Sequence, residues 1–182
     1  MSKFLIAFAS THGHTAKIAT RIAAVLSAGG DAVDVKTDLA STNPSVTDYD
    51  AVIVGGSIHA GNHQDELIRW ARGHGPSLNM TPSAFFSVSL SAAEDADEAR
   101  ATVQGYLDDF EELTGWTPRL RTAIAGALRY PEYNFATRLI MRVMMRRGDH
   151  PTNIRREYDY TDWDAVEAFA RECAALPARV AA

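Results

Sequence analysis

Cysteine occurs once in the 182 residues, at Cys173, so no disulfide can form within the chain and a reducing compartment, the cytoplasm, is its expected setting. The spacing of Cys173 from Val166, Phe169 and Ala170 is helical, which predicts a core thiol rather than a nucleophile. No apolar run approaches the ~18 residues of a membrane span. No basic stretch with a small-residue cleavage site opens the chain, so no leader is expected. Positive charge is in the minority: 18 Lys and Arg against 23 Asp and Glu give a net charge of −5, which argues against nucleic acid as the partner of the whole surface. His12, His14, His59 and His63 lack metal-ligand spacing and a carboxylate cluster, so no metal site is expected. The sequence also lacks GxGxxG and any lysine-bearing phosphate loop, which excludes the common dinucleotide and triphosphate motifs. With no internal repeat and 46% apolar residues, a single domain over 1–182 is expected.

What the chain does have is a stretch that reads as a phosphate-sized anion site. The apolar run Phe4-Leu5-Ile6-Ala7-Phe8-Ala9 passes into Ser10-Thr11-His12-Gly13-His14-Thr15, and Ile18, Ala19, Ile22, Ala23 and Leu26 follow on one face of a helix. A buried strand turning through hydroxyls and a glycine into a helix start brings backbone N–H groups and the positive end of a helix dipole to one point. Small and uncharged, the loop suits one terminal phosphate monoester. An ordinary capped strand-to-helix turn is the alternative.

Strand and helix patterns then alternate. Residues 3–9, 32–36, 51–55, 83–90 and 123–128 read as strands. Residues 15–28 read as a helix stopped by Gly29-Gly30, and Leu67, Ile68, Trp70 and Ala71 mark another that ends near Gly73. A third runs from Ala96 to Gly115, and Thr161-Asp162-Trp163-Asp164 reads as a capping box opening a last helix through Cys173. Near-continuous apolar strands separated by helices predict an α/β doubly wound five-stranded parallel sheet, with ligands beyond the strand C-termini at the switch point. The loops that should carry chemistry are therefore 10–15, Gly56-Ser57-Ile58-His59-Ala60-Gly61-Asn62, and Ser89-Leu90-Ser91-Ala92-Ala93. A phosphate loop with two small polar loops is the layout for a mononucleotide carrying a planar ring.

The loop Ser10-Thr11-His12-Gly13-His14-Thr15 resembles the phosphate loop of the flavodoxin-like superfamily, Ser/Thr-x-Thr-Gly-x-Thr, with His12 in place of its usual threonine. More specific stretches are similar to the menaquinone-dependent protoporphyrinogen IX dehydrogenase family. They are Gly56-Ser57-Ile58, the run Pro82-Ser83-Ala84-Phe85-Phe86-Ser87-Val88, and Ala125-Gly126-Ala127-Leu128-Arg129-Tyr130-Pro131-Glu132-Tyr133. A Met-rich basic segment follows, then Tyr160-Thr161-Asp162-Trp163 and Phe169-Ala170-Arg171-Glu172. The resemblance spans nearly the whole chain. It implies an FMN enzyme of haem biosynthesis that oxidises protoporphyrinogen IX and reduces menaquinone, with the flavodoxin-like sheet extended by a helical insertion after strand five. The FMN phosphate would lie on residues 10–15, and its ring between Ser57, Ile58, His59, Ala60, Gly61 and Asn62 on one side and Ser89, Leu90, Ser91 and Ala92 on the other. The sequence departs from that family in the acidic, alanine-rich stretch 91–104.

Within the insertion 133–150, residues 133–147 carry Arg138, Arg142, Arg146 and Arg147 with no acid among them. The first three form one narrow helical stripe, and Leu139, Ile140, Met141, Val143, Met144 and Met145 fill most of the remaining circumference. Such a helix suits the inner face of a membrane and access to a lipid-soluble quinone, with core packing or a homo-oligomer contact as alternatives. His59 lies where a flavin ring would pass, as a stacking or hydrogen-bonding residue. His63 is a proton-shuttle candidate because imidazole titrates near neutrality. Arg129 and Tyr130 could meet a substrate propionate. Trp70, Trp116 and Trp163 are expected to be structural. A flavodoxin-type electron carrier, an NAD(P)H-fed quinone reductase and, as an outlier, a non-flavin regulatory module are the other functional readings.

Overall fold

The computed structural model describes residues 1–129 and 157–177. Five parallel strands form one sheet: β1 (Lys3–Phe8), β2 (Ala32–Lys36), β3 (Ala51–Ser57), β4 (Ser83–Ser89) and β5 (Leu120–Ala125), in the order β2-β1-β3-β4-β5. The order reverses at β1. From there the chain crosses to β2 on one side and returns to β3 on the other, opening a crevice between the C-terminal ends of β1 and β3. This is the doubly wound five-stranded parallel sheet that the strand pattern predicts, as the flavodoxin-like resemblance also implies.

The central strands read as unbroken apolar runs because both of their faces are covered. Phe4, Ile6 and Phe8 of β1 point to one side, where they meet Ile18, Ile22 and Leu26 of α1 (His14–Ala28) and Phe169 and Cys173 of α5 (Trp163–Ala174). Leu5 and Ala7 point to the other side, against Leu67, Trp70 and Leu78 of α3 (Asp65–Met80) and Leu107 and Phe110 of α4 (Asp97–Thr114). A one-turn helix, α2 (Leu39–Thr42), lies between β2 and β3 and buries Leu39 in that second layer. Cys173 is fully buried, and burial pushes its thiol pKa up, as befits a core residue. Trp116 is also fully buried, its Nε1 donating to Ser83 Oγ at 3.0 Å.

The third strand runs two residues further, to Ser57, and the fifth starts three residues earlier, at Leu120, than the sequence predicts; three other differences have a clear physical reason. Helix α3 does not stop near Gly73 but runs through Gly75 and Pro76 to Met80. A side chain at Gly75 would sit 3.1 Å from the Thr114 carbonyl, so the glycine lets α3 lie close against the end of α4. Arg72 Nε donating to the Leu113 carbonyl and Asn79 Nδ2 donating to the Gly115 carbonyl hold that contact across the predicted break. The fifth strand ends at Ala125 instead of continuing to 128. Gly126 donates its N–H to the Ser89 carbonyl, and beyond it β6 (Ala127–Arg129) leaves the sheet to pair antiparallel with β7 (Glu157–Asp159). Finally, Asp162 caps α5 by accepting from the Ala165 N–H at 3.0 Å, with no reciprocal carboxylate at the third helical position. Thr161 is released for a different task.

Candidate functional site

The strand ends are pinned to one another where the crevice opens. Ala9 N–H donates to the Gly55 carbonyl, Ile58 N–H to Val88 and Gly126 N–H to Ser89, all at 2.8–3.0 Å. The segments after β1, β3, β4 and β5 therefore leave the sheet side by side. They line an open cleft of about 200 Å3 built from Ser10, His12, His14 and Thr15, from Ser57 through Ala60, from Val88 through Leu90, and from Gly126 and Ala127.

At one end of the cleft, α1 begins after Gly13, which sits at φ 75°, and no side chain caps the helix. Ser10 Oγ is buried beside it with no hydrogen-bond partner among the described residues. A buried hydroxyl without a partner costs about 1–3 kcal/mol. Its position next to an uncapped helix start fits a bound phosphate oxygen that supplies the missing acceptor.

The second loop is a tight hairpin. His59 and Asn62 exchange backbone hydrogen bonds of 2.8 and 3.1 Å across Ala60 and Gly61, whose φ values of 49° and 85° are those of a type I′ turn. Gln64 braces this loop against the first one. Its Oε1 accepts from the Ser57 N–H at 3.2 Å, and its Nε2 donates to Ser57 Oγ at 2.7 Å and reaches Thr11 Oγ1 at 3.4 Å. Ser57 Oγ lies 3.1 Å from His59 Nε2, and the His59 ring meets His12 edge-on with centroids 5.3 Å apart. Burial, then repulsion from His12, lowers the His59 pKa and keeps the ring neutral near pH 7.

The structure sorts the remaining sequence candidates. Thr11 and Gly13 are exposed on the rim of the first loop. Gly61 and Asn62 face a separate recess of about 210 Å3 with Tyr106, Asp109 and Glu112. Ser91 starts a short turn after β4, and Ala92 lines a recess against Tyr160 and Asp162 on the far side of that turn. His63, the shuttle candidate, is not part of the cleft wall. It is 6% exposed, its Nε2 is 2.9 Å from Ser87 Oγ, and its ring packs on Phe85 and Phe110. The Arg129 backbone pairs with Glu157; its side chain, Tyr130 and the basic stretch 133–147 lie outside the described residues.

Burial lowers the His63 pKa to about 4. The folded value lies below the unfolded one, so this contribution is complete above pH 6.5 and is lost as pH falls toward 4, where the unfolded chain takes the proton first. Discounting for relaxation around the charged ring, the loss is expected to be on the order of 2 kcal/mol. Urea unfolding across that interval should show this slope in the parent and a flatter one in His63→Gln.

Two residues that sequence reasoning gave other roles complete the site. Thr161, expected in a capping box, donates its hydroxyl to the Ala125 carbonyl at 2.8 Å and so accepts from His14 Nε2 at 2.7 Å. One side chain thereby ties the end of β5 to the start of α1. Removing it deletes the 2.7 Å bond of a ring only 6% exposed and leaves Asp159 Oδ1, at 3.7 Å, as a longer contact for the same nitrogen. Thr161→Val is expected to cost about 1–2 kcal/mol in unfolding free energy, read by urea denaturation. Gly126 sat inside a predicted strand, where an isolated glycine is itself a signal of close backbone approach.

Comparison with known proteins agrees with this geometry. The flavodoxin domain family matches residues 5–155. A protoporphyrinogen IX dehydrogenase (quinone) of Escherichia coli K12 is 36% identical over 174 residues, covering 96% of each chain. One from Leishmania major is 36% identical over 182 residues, covering 98% of this chain and 77% of its own. Among solved structures, oxidised flavodoxin 1 of Bacillus cereus superposes with a TM-score of 0.55 at 17% identity, over 94% of this chain and 97% of its own. The rubredoxin oxygen:oxidoreductase of Desulfovibrio gigas does so with 0.58 at 17%, over 99% and 37%. These two show the fold alone. By domain match and by full-length identity, the chain belongs to the flavodoxin domain family, in the same branch as the protoporphyrinogen IX dehydrogenases (quinone).

Proposed function

We propose that this protein is an FMN-dependent oxidoreductase that dehydrogenates protoporphyrinogen IX to protoporphyrin IX and passes the electrons to menaquinone. The observation that carries the reading is 36% identity over nearly the whole chain to proteins named protoporphyrinogen IX dehydrogenase (quinone), joined to a cleft at the switch point with a buried Ser10 hydroxyl that has no hydrogen-bond partner among the described residues. FMN, when bound, supplies the redox chemistry: it takes hydrogen equivalents from an organic substrate and returns them to a quinone. Ser10, Thr15 and the backbone N–H groups at the start of α1 would hold its phosphate, with Thr11 at the rim. Ser57, Ile58, His59 and Ala60 would line one side of its ring, and Val88, Ser89 and Leu90 the other. Gln64 fixes the loop that carries His59. In this reading Arg129 meets a substrate carboxylate, and residues 133–147 bring the protein to the inner face of the cell membrane. Their Arg stripe would face lipid phosphate and their Met, Leu and Ile side chains the acyl boundary. Among the described residues no helix is long and apolar enough to cross a membrane.

The test is anaerobic. FMN-loaded protein, protoporphyrinogen IX and a menaquinone analogue are mixed, and protoporphyrin fluorescence is followed against a no-enzyme control. Quinone-dependent growth of fluorescence supports the proposal. A flat trace with flavin bound overturns it, and NAD(P)H oxidation coupled to quinone would then identify the reductase alternative. Sedimentation with anionic vesicles, abolished by neutralising Arg138, Arg142 and Arg146, tests the membrane contact.

A further inference from the structure

Three side chains between the first two cleft loops form a directed hydrogen-bond relay. Its direction is set at one end by a group with no choice. The Ser57 backbone N–H can only donate, and Gln64 Oε1 accepts from it at 3.2 Å. The Gln64 amide is thereby oriented, and its other end is a donor: Nε2 gives a proton to Ser57 Oγ at 2.7 Å. Ser57 Oγ, accepting from Gln64, still has its own proton to give, and the ring nitrogen 3.1 Å away, His59 Nε2, is placed to accept it. A neutral imidazole that accepts at Nε2 carries its proton on Nδ1. That nitrogen has no protein partner among the described residues, and the ring lines the cleft. Edge-on contact with His12 at 5.3 Å restrains the ring in this orientation.

We propose that Gln64, acting through Ser57, locks His59 as the Nδ1–H tautomer, so that His59 presents a fixed hydrogen-bond donor to the acceptor edge of the flavin held in the cleft. This rests on the FMN reading given above. A flavin ring gains negative charge on its acceptor atoms when it takes electrons, and a hydrogen bond to a charged acceptor is about twice as strong as to a neutral one. The donor therefore holds the reduced cofactor more tightly than the oxidised one. Gln64 is a positioning residue in this scheme, and His59 is the residue that touches the cofactor.

The tautomer is read directly from long-range 15N–1H correlation spectra of the histidine rings in FMN-loaded protein, with His59 assigned by its disappearance in His59→Phe. The parent should show Nδ1–H, whereas free imidazole side chains favour Nε2–H. Gln64→Glu is the decisive variant. A carboxylate accepts from both the Ser57 N–H and its hydroxyl, which leaves Ser57 Oγ as an acceptor and should switch His59 to Nε2–H. Ser57→Ala, which removes the relay without adding charge, should also shift the ring toward Nε2–H. An Nε2–H parent, or a tautomer unmoved by both variants, overturns the relay. In the second arm, the ratio of reduced to oxidised FMN affinity should fall about tenfold in His59→Phe, which keeps a ring against His12 but offers no donor. An unchanged ratio overturns the donor role. Protein that takes up no FMN at all overturns the cofactor reading instead, while the tautomer remains measurable in the same sample.

Discussion

The Gly55→Ala variant is expected to lose about 3 kcal/mol of folding stability or more and to melt roughly 6–12 °C lower than the parent. Gly55 on β3 is paired in register with Phe86 on β4, and both are fully buried. The Phe86 ring lies over Gly55, so an added methyl group would overlap ring carbons rather than touch the tip of a mobile chain. A central strand buried on both faces cannot slide aside, because each residue is held by the ladders on either side. Shrinking the ring should relieve the conflict: Phe86→Leu in the Gly55→Ala background should cost less than the two single changes added together. Thermal melts of the four proteins give the coupling. Strict additivity would mean that the ring is not what excludes a side chain at position 55.

Ser10→Ala is expected to act with opposite signs on two measurable quantities. FMN affinity should fall by about 10- to 100-fold, because a hydrogen bond to a charged phosphate oxygen is worth ~1.5–3 kcal/mol. Stability of the FMN-free protein should hold or rise by ~1 kcal/mol, because the variant removes a buried hydroxyl that has no partner among the described residues. Flavin-fluorescence titration and urea unfolding of apoprotein read the two effects separately. A parallel loss of both would indicate that Ser10 supports the loop itself and is not a phosphate ligand.

The fold was legible because its main determinant is local. Strands covered on both faces must be apolar at every position, and residues 4–9, 51–54 and 84–86 announce that in the sequence. The end of α3 was not legible, because Gly73, Gly75 and Pro76 are all helix breakers by local chemistry. What overrides them is the approach of α4, a contact between residues nearly forty positions apart. The site divides in the same way. The parallel-sheet rule locates its loops without any knowledge of side-chain direction. Which loop residues face inward depends on turns and partners the sequence does not display. His63 and Thr161 show the difference: a histidine just beyond a ligand loop turned into the aromatic layer, and a threonine read as a helix cap reached across to His14. Gln64 was missed because its role is to orient other side chains, and no spacing motif encodes that.

The β6–β7 ribbon has a consequence for how such a chain can change over time. The register places Arg129 opposite Glu157, so the chain between them departs from and returns to the same rung of one short ladder. A segment closed at its base in this way is anchored like a pouch on a clasp. Its contents can be lengthened, shortened or exchanged at a cost that grows only slowly with length. The clasp meets the parallel sheet beside Gly126, at the lip of the cleft. New chemistry can therefore be brought to the rim of an old cofactor site without disturbing the strands beneath it.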